Sequence, residues 1–112
     1  MIDQRVLDGL LEVIGAEALT DVLDSCRRQF EDSQMIVTAA LARGDSAELL
    51  RLTHDLKSSA LNIGLNDLGG LAREIETACR EGHGSDALRL AQGLGERLLQ
   101  ACAAIRAIDA LH

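Results

Sequence analysis

Proline, tryptophan and tyrosine are absent from the 112 residues, and Phe30 is the sole aromatic. A chain without proline has no obligatory helix breaker. All-β folds draw on β-branched and aromatic side chains, yet Val, Ile and Thr together number only 15. Leu and Ala, both strong helix formers, number 36. The composition therefore reads as all-α. An excess of base is also missing: 18 acids against 11 bases give −7 at pH 7. That charge repels phosphates, and no rings are available for base stacking, so nucleic acid is a poor partner. No apolar run approaches the ~20 residues that span a bilayer, and the opening MIDQRVLDGL has no basic stretch ahead of a long apolar one. The expected partners exclude a membrane, and the expected compartment is the cytoplasm. Three cysteines, Cys26, Cys79 and Cys102, are odd in number and lack CxxC spacing. They fall in apolar-periodic segments, so buried reduced thiols are expected.

What is present suits one domain with its own core, since 47% of the residues are apolar. Periodicity and punctuation predict five helical segments. The first runs from Gln4 to Ile14, with Asp3 as N-cap, a stripe of Val6, Leu7, Leu10, Leu11 and Ile14, and Gly15 as its end. The second spans 16–43 with Leu19, Val22, Leu23, Cys26, Phe30, Val37 and Leu41 as its stripe, closed by Gly44. The third spans 46–63, with Asp45 as N-cap, Glu48 at the reciprocal capping-box position and Gly64 as stop. The fourth spans 67–81, capped by Asn66 and stopped by Gly82. The fifth starts near Ser85 and extends toward Ala110; its stripe of Ala87, Ala91, Leu94, Leu98, Ala101, Ile105 and Ile108 alternates steps of four and three, a heptad seam. Short connections between long helices force antiparallel neighbours. The expected fold is an antiparallel up-down four-helix bundle, with the first helix covering one end, as a single domain over 1–112.

The third segment carries the residues of interest. At ~100° per position, with His54 at zero, Leu49, Leu52, Leu56, Ala60 and Ile63 fall between ~160° and ~240° and form the core stripe. Leu50, Lys57, Ser58 and Leu61 fall within ~60° of His54. His54 therefore projects away from the core, with Lys57 and Ser58 at i+3 and i+4. A surface histidine on a helix is often inert, but three features set this face apart. Lys57 is the only lysine beside ten arginines. Ser58, Ser59 and Ala60 are small, leaving the surface beside the imidazole open. Leu50 and Leu61 place apolar area among polar groups, as docking surfaces do.

The string His54-Asp55-Leu56-Lys57-Ser58-Ser59-Ala60, followed by Gly64, by Leu65 and Leu68, and by Ile75-Glu76, resembles the histidine-containing phosphotransfer (HPt) domain family. That family's signature is approximately H-x-L-K-G-x-[SA], a glycine ten residues after the histidine, then L-x-x-L and a Leu/Ile-Glu pair on the next helix. The resemblance covers 51–82. Ser58 departs from it, standing where the family usually has glycine. The resemblance implies that His54 is the phosphoacceptor of a two-component phosphorelay. It would take a phosphoryl group from a receiver-domain aspartate and pass it to another. Neutral imidazole is a competent nucleophile near pH 7. Lys57, a compact point charge, would offset phosphoryl charge. Glu76 would accept from Nδ1–H and leave Nε2 free; on the wheel it lies at the core boundary, within reach of the neighbouring helix or simply solvated. Leu50, Ser58 and Leu61 would meet the partner. The implied protein is a carrier and not an enzyme, with no cofactor of its own. Magnesium is expected in the partner receiver domain, belonging to a response regulator or a hybrid histidine kinase. A monomer is expected.

Two other readings stand beside it. The dimerisation and phosphoacceptor domain of a histidine kinase has the box H-[ED]-L-[RK]-[ST], which Thr53-His54-Asp55-Leu56-Lys57-Ser58 fits, though Ser59 replaces its usual proline and 112 residues are not expected to hold the nucleotide-binding domain such a kinase needs. A helical adaptor without phosphorylation is the other. No metal site is expected: His54, His83 and His112 have no ligand spacing, with His83 in a Gly-flanked turn and His112 terminal. Gly69 and Gly70 cost helix propensity; either close helix approach or flexibility would account for them.

Overall fold

The structure is a computed structural model that describes residues 2–111, with side chains up to Ile108. Its described residues form five α-helices and no strands: α1 (Gln4–Arg43), α2 (Ser46–Asn62), α3 (Asn66–Arg80), α4 (Gly84–Ala91) and α5 (Leu94–Leu111). The molecule measures 41 × 22 × 18 Å. None of these helices is long and apolar enough to cross a membrane. The first two expected segments form α1, broken at Gly15. There φ is 84° and ψ is 167°, a backbone region open essentially to glycine alone.

The fifth expected segment is two helices, α4 and α5, parted by a turn at Gln92–Gly93. Gln92 N–H donates to the Arg89 carbonyl and Gly93 N–H to the Leu90 carbonyl, both i to i−3. This tight turn advances the chain about as a helix does, so the heptad phase survives it. Ala87, Ala91, Leu94, Leu98, Ala101 and Ile105 are all buried, and Ile108 is half-buried.

α2 packs most extensively against α3, and α1 against α5. The α2 stripe of Leu49, Leu52, Leu56, Ala60 and Ile63 is buried throughout, as its spacing predicts. Phe30 is fully buried in the same core. The α1 stripe is only partly used: Leu7, Leu19, Leu23 and Val37 are buried, but Leu11, Ile14 and Val22 are exposed, and Ser33 and Ala40 are buried in addition. Ser33 satisfies its hydroxyl by donating to the Gln29 carbonyl at 2.7 Å. Of the cysteines, only Cys102 is buried; Cys26 and Cys79 are half-buried, and all three are free thiols.

The caps follow the sequence in part. Asp3 accepts from Arg5 N–H and Asp45 from Glu48 N–H, each at 3.0 Å. The reciprocal half of the capping box does not form. Asp45 N–H is already bonded to the Ala40 carbonyl at the end of α1, and Glu48 turns to Arg51 instead. At α3 the cap position is Leu65, without a side-chain cap bond, and Asn66 is the first helical residue. Burial of Leu65 in the core fixes this entry.

One contact sets the α2–α3 turn. Asp3 N–H donates to the Gly64 carbonyl at 2.7 Å. Gly64 has a φ of 83°, and a Cβ there would lie 2.9 Å from the Asp3 carbonyl oxygen. Glycine is required on both counts. The start of the chain is thereby tied to the end of the helix that carries His54.

Candidate functional site

His54 stands on α2, opposite the buried stripe. Thr53 beside it is fully buried, its hydroxyl donating to the Leu49 carbonyl at 2.7 Å. With Thr53 and Leu52 packed inward, the next position along the helix is turned outward. The His54 side chain is accordingly 59% exposed.

α3 lies close enough to reach it because of Gly69. A Cβ at that position would meet the Leu61 side chain at 2.5 Å. Close approach therefore accounts for Gly69; no side chain comes near Gly70. The same contact corrects the expectation for Leu61. It is half-buried, packed on Gly69 in the α2–α3 seam, and Leu50 is half-buried as well. Ser58 is exposed.

Glu76, one turn before the end of α3, is 6% exposed and crosses the seam. Its Oε2 lies 2.8 Å from His54 Nδ1, and its Oε1 accepts from Lys57 Nζ at 2.6 Å. Arg80 Nε lies 3.8 Å from the same Oε1. The structure thus joins His54, Lys57 and Glu76. Lys57 is held by Glu76, which the wheel alone does not reveal. Arg80 is the group that sequence reasoning missed; its i,i+4 spacing from Glu76 is the available signal.

The electrostatics select one proton arrangement. The Lys57 ammonium holds the Glu76 carboxyl below the ordinary glutamate range, and the His54 hydrogen bond adds to this against the opposing effect of burial. An ionised carboxylate only accepts hydrogen bonds, so the Nδ1 facing it carries the proton. In neutral imidazole the lone pair then belongs to Nε2. Among the described residues nothing bonds Nε2. The arrangement is an oriented, accessible nitrogen nucleophile with an ammonium one helical turn away. Among the described residues no group of three or more His, Cys, Asp or Glu side chains could hold a metal ion. His83 is exposed, 3.7 Å from Glu81; His112 lies outside the described residues.

The family model of the Hpt domain matches residues 17–108. The chain belongs to the Hpt domain family. Phosphorelay protein LuxU of Vibrio vulnificus, in strains YJ016 and CMCP6, is 28% identical to this Hpt chain over 100 residues, 89% of this chain and 87% of LuxU. The crystal structure of histidine-containing phosphotransfer protein B (HptB) from Pseudomonas aeruginosa PAO1 matches with a TM-score of 0.86 at 25% identity, covering 99% of this chain and 96% of HptB. The Hpt match begins just past the Gly15 break, whereas the likeness to HptB takes in the segment before it.

Proposed function

We propose that this Hpt chain is a phosphorelay intermediate of a two-component system, with His54 as its phosphoacceptor. The observation that carries the reading is the bond between exposed His54 and nearly buried Glu76. In the forward step, the Nε2 lone pair attacks the phosphorus of a receiver's aspartyl phosphate. The N–P bond forms as the acyl-phosphate P–O bond breaks, and the aspartate leaves as a carboxylate. The ring keeps its Nδ1 proton and becomes cationic, and Glu76 stabilises that charge. In the onward step, a second receiver's aspartate attacks phosphorus and the lone pair returns to Nε2. Lys57 offsets phosphoryl charge. Ser58 and the half-exposed edges of Leu50 and Leu61 form the docking surface.

The chain acts as a carrier, without a nucleotide site or cofactor. The magnesium and most of the transfer electrostatics belong to the receiver. We assign α2, α3, the α4–α5 pair and α1 after Gly15 to an antiparallel up-down four-helix bundle. The segment before Gly15 covers one end. The short turns at 44–45, 63–65 and 81–83 support this. The reading is of one monomeric, cytoplasmic domain over 1–112.

The test is His54→Gln. Incubated with a phosphorylated receiver, it should accept no label, while the unsubstituted chain carries label on His54 alone when mapped in alkali. Stability should change by about 0.5 kcal/mol or less, because the ring fills no core space. Label on His83, or undiminished label in His54→Gln, would sink the assignment.

A further inference from the structure

Three basic side chains lie within 4 Å of the Glu76 carboxylate: His54, Lys57 and Arg80. They are not equivalent. Lys57 Nζ makes a full hydrogen bond to Oε1 at 2.6 Å, whereas Arg80 Nε stands off the same oxygen at 3.8 Å, beyond hydrogen-bond range. Lys57 comes from α2, on the His54 face. Arg80 comes from α3, on the turn after Glu76. Its side chain is 57% exposed and bonded to nothing else among the described residues, so it is free to move.

A phosphoryl group on Nε2 brings close to two negative charges within reach of the Lys57 ammonium. The ammonium has three donors and one is given to Glu76 Oε1, but a turn of Nζ toward the phosphoryl group draws it off that oxygen. If it turns away, a nearly buried carboxylate oxygen loses its donor, which favours protonation of Glu76. A protonated Glu76 is a poorer acceptor for Nδ1–H and no longer balances the cationic ring. Arg80 needs to close by only about 1 Å to restore a hydrogen bond.

We infer that Arg80 is a positioning residue that takes over Glu76 Oε1 when Lys57 turns to a phosphoryl group on His54. The inference rests on the reading of His54 as phosphoacceptor. It explains why a second cation is stationed beside a carboxylate already paired with a first. Arg80 also sits in the last turn of α3, where any cation is favoured by the helix dipole. That role is the same in both phosphorylation states; the hand-over is not.

The experiment uses the full chain with nitrogen-15 in histidine and phosphoramidate as donor. Nε2 forms the N–P bond as the donor's P–N bond breaks, and ammonia leaves with a proton. Unsubstituted protein, Arg80→Gln and Arg80→Lys are compared before and after labelling. Before labelling, all three should show the same His54 Nδ1–H signal. After it, the Arg80→Gln signal should shift toward that of an imidazole without its carboxylate acceptor. Its phosphohistidine lifetime should shorten roughly three- to tenfold, and Arg80→Lys should recover most of both. An Arg80→Gln phosphoform identical to the unsubstituted one, or an equal change before and after labelling, would overturn the hand-over while leaving His54 as acceptor. Where phosphoramidate does not label the unsubstituted chain, a phosphorylated receiver is the donor, and failure of that receiver to label His54 would overturn the acceptor reading itself, and the hand-over with it.

Discussion

Two helix seams hold this molecule together, α2 on α3 and α1 on α5, and each is crossed by a carboxylate that gathers cations. On the first, Glu76 accepts from Lys57 at 2.6 Å and faces His54 Nδ1 at 2.8 Å. On the second, Glu31 accepts from Arg106 at 2.6 Å and from Arg27 at 2.9 Å. The bond lengths are nearly the same. The surroundings are not: the Glu76 side chain is 8% exposed and that of Glu31 is 37% exposed. Water can replace any partner of Glu31. It cannot easily replace those of Glu76, so Glu76 fixes the tautomer and direction of an exposed ring. A buried acceptor with an accessible donor orients chemistry; a pair exposed at both ends tethers a surface.

The largest effect lies in the core shared by both seams. Phe30 is fully buried. Phe30→Ala should cost about 3–5 kcal/mol, against a total of about 5–15 kcal/mol for a domain of this size. Urea unfolding would read this as a large fall in midpoint. Any loss of phosphate acceptance should follow the unfolded fraction and vanish when the folded state is restored by an osmolyte. A protein that stays folded yet accepts no phosphate would place Phe30 in the site, against the geometry.

Next comes Glu76. Glu76→Gln should cost about 1–2 kcal/mol, and its pH dependence gives a sharper reading. The folded carboxyl is held below the ordinary glutamate value of about 4.3 by Lys57 first and His54 second. The unfolded chain thus binds the proton more readily than the folded one. The Glu76 contribution is fully present above about pH 4.3 and is lost as pH falls through the lower folded value. Asp3, held down by the Arg5 backbone N–H, and Asp24, held down by Arg27, act with the same sign. The difference between the unsubstituted protein and Glu76→Gln isolates the Glu76 share. The gap should narrow once pH falls below about 4.3. A gap that persists undiminished far below that pH would contradict the ionised carboxylate.

Much of this was legible in the residues, and the failures have physical reasons. The α2 stripe is read correctly because other helices cover it along its whole length. The same rule applied to the first half of α1 overstates burial: Leu11, Ile14 and Val22 keep helical spacing but remain exposed. Spacing reports which face is apolar, not whether a neighbour exists to cover it. The turn at Gln92–Gly93 hides because its i to i−3 bonds preserve the seam's phase. Glu48 has the capping-box spacing but finds its target N–H occupied by α1, a contact from outside the local sequence. At the site, His54 and Lys57 are neighbours on one helix and can be paired by angle. The bond from Lys57 to Glu76 spans 19 residues and depends on how closely α3 approaches, which Gly69 sets.

Lys57→Ala tests the donor side of the first seam. Lys57 is partly exposed and lies off the core stripe, so the fold should persist. Phosphate transfer to His54 should slow, or the phosphohistidine lifetime shorten, by about tenfold, the equivalent of one charge-assisted contact. Arginine at this position should rescue only in part, because its planar fork cannot follow the phosphoryl group as a compact ammonium does. Wild-type transfer and lifetime in Lys57→Ala would reduce Lys57 to a partner of Glu76 alone.

The smallest effect belongs to the second seam. Arg106→Ala removes a bond as short as any at Glu76, yet it should cost less than about 0.5 kcal/mol. Glu31 keeps Arg27 at 2.9 Å and is open to solvent, so no carboxylate oxygen is stranded. Arg106 itself is 60% exposed, so holding it in place costs side-chain entropy that the bond barely offsets. Screening sharpens the contrast. In 1 M salt the Debye length falls to about 3 Å, and the difference between Arg106→Ala and the unsubstituted protein should disappear. The Glu76→Gln difference should largely remain, because its acceptor is shielded by α2 and α3. Phosphate acceptance by Arg106→Ala should be unchanged at either salt concentration. A loss above about 1 kcal/mol that survives high salt would show that bond length, and not burial, decides what each carboxylate contributes.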